Sequence, residues 1–262
     1  MKKSTVFSEV DPSGRAFLTI NRPEVHNAFD DVLVANLVNE LRHLEANDKV
    51  RIVLLGSSGK TFCAGADLAW MRRAAAFGHA ENLADSLGLA ELLKTLDRLE
   101  KPTLALVQGP AYGGGVGLVA CCDMAVAARA ARFRFSEVRL GLAPAVISPY
   151  VIAAIGGRAA RRYFLTAEEF DAGEAYRLGL VHAVVEENRL YDQARQWSET
   201  LLQNGPRAMS AVKELVREVE RGPVDERMVR ATAEKAAELR ASDEGREGIG
   251  AFLEKRRPSW IE

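Results

Sequence analysis

The chain has 262 residues, 48% hydrophobic and 27% charged, with a formal net charge of −1. That composition suits a globular chain with one large domain, or one plus a small appendage, and the near-neutral balance without a long basic run argues against nucleic acid as the main partner. No run of about 18 apolar residues exists to cross a membrane, and the opening MKKSTVFSEVDPSG lacks the apolar segment of a secretory signal, so a cytoplasmic protein is expected.

The three cysteines, Cys63, Cys121 and Cys122, sit in apolar surroundings and read as reduced thiols. Cys63 has no histidine or lysine motif beside it and reads as a small buried residue, not a nucleophile. The Lys255, Arg256, Arg257 cluster reads as a solvated helix end.

In chain order, RAFLTIN (15–21) alternates as a strand and stops at Arg22-Pro23. Asp30 or Asp31 caps a helix to about Ala46, with apolar positions at Val34, Leu37, Val38, Leu41 and Leu44. VRIVLL (50–55) predicts a buried strand, and the loop 57–66 leads to a helix near 68–76 and a longer one near 81–99. TLALV (103–107) predicts another buried strand; a helix at 114–122 and strands at 124–128 and 132–135 follow, then a helix pair and the apolar run LGLVHAVV (178–185). Beyond Arg189 the pattern is helical only, with segments at 189–203, 206–221, 225–241 and 244–255. The expectation is an α/β core of mostly parallel strands over 1–195 and a helical region over 196–262.

Four glycines crowd one helix start in AYGGGVGLVACC (111–122). Glycine inside a helix costs roughly 1 kcal/mol against alanine, so the pattern needs a reason. A glycine-rich helix start leaves unpaired N–H groups at the positive end of the dipole with no Cβ in the way, which suits negative charge. GPAYGGGVG is neither a dinucleotide nor a nucleotide-triphosphate fingerprint. Tight helix packing explains the glycines equally well until TFCAGADLAWM (61–71) is considered. Its small residues enter a second helix after a loop, and two such starts can aim two N–H groups at one oxygen, as an oxyanion hole does.

With NRPEVHNAF, FCAGADL, QGPAYGGGVGL, SEVRLGLAP and LTAEEFDAGEAYRLGLV in this order, nearly the whole chain resembles the crotonase (enoyl-CoA hydratase/isomerase) superfamily. The resemblance implies a spiral of strand-strand-helix repeats with a helical C-terminal region, assembled as a homotrimer or homohexamer. It implies an acyl-CoA thioester as substrate, with coenzyme A entering as part of it and neither a metal nor a separate cofactor. By motif position the oxyanion donors are Ala66 and Gly114, with Gly113 beside them. Ala64, Gly65, Asp67 and Leu68 would hold the adenine and pantetheine by backbone contacts. Val25 and His26 lie in a loop that covers the coenzyme, His26 reading equally as a solvent-facing loop residue. Phe252 and Lys255 resemble C-terminal residues that reach it, often from a neighbouring subunit.

Hydratases of this family carry two glutamates. Here the first position is Gly117; the second is Glu137, which the resemblance makes the catalytic residue. One acid–base group is worth about 10²–10⁴ in rate, so a plain two-glutamate mechanism is not available. LAPAVISPY (142–150) departs too, standing where hydratases have a glycine-rich stretch. Both departures resemble bacterial hydratases of methylglutaconyl-CoA and longer branched glutaconyl-CoA esters. On that reading Gly117 leaves room for the substrate's branch or second carboxylate, and Arg72, Arg73, Arg134 or Arg139 answers the carboxylate. An isomerase working with Glu137 alone, and a non-catalytic member binding acyl-CoA or RNA, are the alternatives.

Overall fold

The computed structural model describes residues 4–220 and 222–261. Its frame is a six-stranded sheet built from β1 (Val6–Val10), β2 (Arg15–Ile20), β3 (Ile52–Ser57), β4 (Thr103–Val107), β6 (Met124–Ala128) and β9 (Ala183–Val185), in the order β1-β2-β3-β4-β6-β9. β1 and β2 run antiparallel, and every later neighbour is parallel. A second sheet joins three short strands, β5 (Ala111–Tyr112), β7 (Arg132–Arg134) and β8 (Phe170–Asp171), in the order β5-β7-β8.

Period-two alternation sends each inner strand to two apolar layers, as a parallel sheet covered on both faces requires. Val53, Leu55, Ala105 and Val107 face the larger core beneath α1 (Asp31–Ala46), α3 (His79–Arg98) and α4 (Gly114–Cys121). Ile52, Leu54, Leu104 and Leu106 face a smaller core closed by Leu190 and Ala194 of α7 (Leu190–Leu202). The Asp30 carboxylate caps α1 by accepting from the Leu33 amide at 2.7 Å, and the five apolar positions read from the sequence are all buried.

The remaining helices are α2 (Leu68–Ala74), α5 (Ser148–Thr166), α6 (Ala172–Leu178), α8 (Pro206–Val219), α9 (Glu226–Ala241) and α10 (Asp243–Glu254). The apolar run LGLVHAVV divides between two elements: Leu178 ends α6, Gly179 turns left-handed at φ 86°, and Ala183–Val185 pairs in the sheet. The boundary expected near residue 195 falls inside α7, whose packing on β3, β4 and β6 makes it part of the core. The chain changes character at Gly205-Pro206 instead. α8 docks through polar contacts, the Lys213 ammonium lying 2.6 Å from Asp123 and Arg217 donating to the Asp97 carbonyl. Its other face leaves Val212, Val216 and Val219 exposed.

Candidate active site

Two turns carry the site, and backbone pairing brings them together. Cys63 bridges Ala111 in parallel fashion, and the Tyr112 amide donates to the Cys63 carbonyl at 2.8 Å. Phe29 links both turns. It pairs with the Ala66 segment through its amide to the Gly65 carbonyl at 2.7 Å, and it accepts from the Asp67 amide at 2.8 Å. Its ring lies so close to Gly114 that a Cβ there would stand 2.8 Å from Cε2. Gly114 opens α4 as its first residue, where no intrahelical acceptor exists. Among the described residues, the Ala66 and Gly114 amides donate to no protein acceptor. The structure thus brings the two expected donors into neighbouring turns, free of internal partners.

Gly113 makes the cap, at φ 48° and ψ −118°, a conformation that L side chains rarely adopt. Its amide donates to the Arg134 carbonyl at 2.9 Å, so β7 fixes the turn from the other side. β7 runs on into a 3-10 turn, Glu137–Leu140, whose first residue returns its side chain to the cap. Glu137 Oε1 lies 3.0 Å from where a Cβ on Gly113 would stand. Glu137 Oε2 is buried and, among the described residues, has no hydrogen-bond partner. Burial raises the carboxyl above its ordinary value, and its own backbone amide opposes that only in part. A carboxyl with one buried, unpartnered oxygen and a raised proton affinity is equipped for proton transfer.

Asp67 has the opposite environment. It caps α2 by accepting from Ala69 at 2.8 Å and Trp70 at 3.1 Å, and it pairs with Arg22 at 3.2 Å. Burial pushes its carboxyl up, but the two amides and the guanidinium outweigh burial and hold it below the usual value. Its side chain is committed to the fold, and so is its backbone: the amide donates to the Phe29 carbonyl and the carbonyl accepts from the Met71 amide, each at 2.8 Å, which leaves no free Asp67 donor for the backbone contact the resemblance implied. Ala64 is half-buried, with its amide on the His26 carbonyl at 3.0 Å, and Leu68 is 72% exposed at the start of α2. Gly65 is buried at φ +89° against the Tyr112 carbonyl.

Val25 closes a 3-10 turn (Pro23–Val25), and His26 follows at φ 55° with Nδ1 3.2 Å from the Thr61 hydroxyl. The His26 carbonyl accepts from the Ala64 amide, so this turn lies against the Ala64–Leu68 segment. Phe252 and Lys255 do not join them within the chain: α10 packs on α8 and α9, and Phe252 is 80% exposed. Of the four arginines, Arg73 pairs with Asp31, Arg134 with Glu169, and Arg139 donates to the Ala167 carbonyl. Arg72, alone of the four among the described residues, has no partner, and it stands four residues beyond Leu68 on α2.

Sequence reasoning passed over Asn27. Fully buried at φ 56°, it donates to the carbonyls of Ser58 at 2.8 Å and Thr61 at 2.7 Å and accepts from the Arg22 amide. It clamps the His26 loop to the loop that leads to Ala66. An asparagine tolerates the left-handed region, and its place after His26 in NRPEVHNAF was the available signal.

Gly117 requires a correction. Its environment is not open: a Cβ there would stand 2.5 Å from Ile147 Cγ2 and 3.4 Å from Leu93 Cδ2. The space expected for a substrate branch or carboxylate is filled by the chain's own isoleucine. The buried thiols fit their reading, with Cys63 and Cys122 pushed up by burial to about 12.

Comparison with known proteins shows the family. The family model for enoyl-CoA hydratase/isomerase matches residues 12–262. An enoyl-CoA hydratase structure from Shewanella pealeana superposes with a TM-score of 0.96 at 44% identity, covering 99% of this chain and 97% of that one. A crotonyl-CoA hydratase of Syntrophomonas wolfei is 32% identical over 248 residues, 94% of each chain. The 1,2-epoxyphenylacetyl-CoA isomerase of Escherichia coli is 32% identical over 263 residues, 97% of each. The chain belongs to the enoyl-CoA hydratase/isomerase family and is an enzyme of it.

Proposed function

We propose that the protein adds water across the 2,3 double bond of an acyl-CoA thioester, with Glu137 as its acid–base group. The observation that carries this reading is the buried, unpartnered Oε2 of Glu137 beside the free amides of Ala66 and Gly114. The Glu137 carboxylate takes a proton from water as the water oxygen bonds to Cβ. The π electrons move through Cα to the thioester oxygen, and the enolate is held by the two N–H groups. The proton on Glu137 then goes to Cα as the carbonyl re-forms, so H and OH have been added and the carboxylate is restored. One carboxylate acting twice delivers both groups to the same face.

The substrate class we assign is a branched glutaconyl-CoA, such as 3-methylglutaconyl-CoA. The departure at LAPAVISPY supports it through the resemblance, Gly117 no longer does, and Arg72, without a partner among the described residues, is the cation for the distal carboxylate. We also assign a homotrimer or a pair of trimers, supported by the exposed Val212, Val216 and Val219 stripe and by Phe252.

The test is a panel of crotonyl-CoA, 3-methylglutaconyl-CoA and a 3-enoyl-CoA, followed by loss of the conjugated absorbance and by uptake of oxygen-18 from water. Hydration of the branched glutaconyl ester ahead of crotonyl-CoA is expected. Conversion of the 3-enoyl ester without water uptake would establish an isomerase, which a single carboxylate also suits. Tight thioester binding with no turnover would establish a binding protein.

A further inference from the structure

α4 presents one face to two different side chains, one turn apart. At the cap, Glu137 Oε1 approaches Gly113; one turn on, Ile147 Cγ2 approaches Gly117. The two glycines mark a single turn, since the Gly117 amide donates to the Gly113 carbonyl at 3.2 Å. Ile147 is 2% exposed, caps the start of α5, and accepts from the Val151 amide at 3.1 Å, so it is held in place by the helix it begins. Leu93 of α3 closes the same space from the other side.

We propose that Ile147 is a specificity-determining residue: it occupies the volume that any side chain at 117 would need, keeping Glu137 the sole carboxylate of the site beside an aliphatic wall. Positions 117 and 147 therefore form one device. A side chain at 117 forces Ile147 to move, and a polar substrate group is kept from this corner by hydrocarbon. Removing Ile147 without filling 117 leaves a void one turn from Glu137, and replacing both residues admits a second acid–base group. This inference rests on the hydratase reading for its catalytic half and on packing alone for its steric half.

The experiment compares wild type, Gly117→Glu, Ile147→Gly and the double variant by thermal unfolding and by steady-state hydration of crotonyl-CoA. Gly117→Glu alone should lower both the unfolding midpoint and the rate. The double variant should regain the midpoint of Ile147→Gly and exceed either single variant in kcat by at least about tenfold, with KM little changed, because a second acid–base group is worth roughly 10²–10⁴. Equal effects of Gly117→Glu in both backgrounds, on midpoint and on kcat, would overturn the proposal. A recovered midpoint without a gain in kcat would overturn its catalytic half. If wild type hydrates no enoyl thioester while the midpoints still couple, the hydratase reading fails and the steric half stands. Should the glutamate variants not fold, Gly117→Ala with and without Ile147→Ala reads the same steric coupling, since Ile147→Ala removes the Cγ2 that the new methyl meets.

Discussion

Asp67 and Glu137 each open a short helical turn beside the free amides, and their surroundings could hardly differ more. Two backbone amides and a guanidinium satisfy Asp67, which is held ionised. Glu137 has one buried oxygen with no partner and is pushed toward its neutral form. The first carboxylate positions α2 and, through it, the Ala66 turn. The second is left available for a proton. What separates the two acids is the number of donors the fold supplies, not depth alone.

The comparison is broken most directly at Glu137. Glu137→Gln should lower kcat by about 10²–10⁴ with little change in KM. Steady-state kinetics on the best thioester of the panel checks this, and a loss of comparable size in folded Asp67→Asn would abolish the distinction. Asp67→Ala should act on stability, by ~1–2 kcal/mol for a lost helix cap. Denaturant unfolding reads that loss; it stays moderate because Arg22 keeps Asp30 at 2.9 Å.

A smaller effect sharpens the contrast, because the two acids should have opposite pH signatures. Asp67 is lowered in the fold from an ordinary value of 3.8, so its contribution is present above that value and lost as pH falls through the folded one. Glu137 is raised from 4.5; its contribution is full below that value and lost as pH rises through the folded one. At pH near neutral, Glu137→Gln should therefore melt above wild type and Asp67→Asn below it. Both differences should shrink on acidification, toward pH about 4 for Glu137 and lower still for Asp67. Melting curves across this range decide it, and a Glu137→Gln midpoint below wild type at neutral pH would contradict the burial argument.

Elements with strong periodicity were legible in the sequence: β2, α1, β3, β4 and α4 all form where alternation, caps and glycines place them. β1 was not, because VFSEV buries only Val6 well and has an edge strand's weak pattern. β5 and β8 have two residues each, too few for any period to register. Within the site, motif position carried Glu137, Ala66 and Gly114, all of which the structure brings to neighbouring turns. The Ile147 contact with Gly117 spans thirty positions of chain and is a fact of packing that neither segment announces alone. Phe252 and Lys255 stand apart from the other site residues in the single chain, and nothing in their own helix indicates what they meet.

The three buried thiols make α4 its own reporter. Cys63 lies under the helix start, its Cβ 2.8 Å from where one on Gly115 would stand, while Cys121 and Cys122 mark the other end. Burial suppresses the thiolate at all three, so an alkylating reagent can react only when the fold opens. Labelling each cysteine over time therefore times the two ends of the helix separately. Label arriving at Cys63 before the Cys121–Cys122 pair would show the amide-bearing turns opening while the core stays closed, and bound thioester should slow that step first.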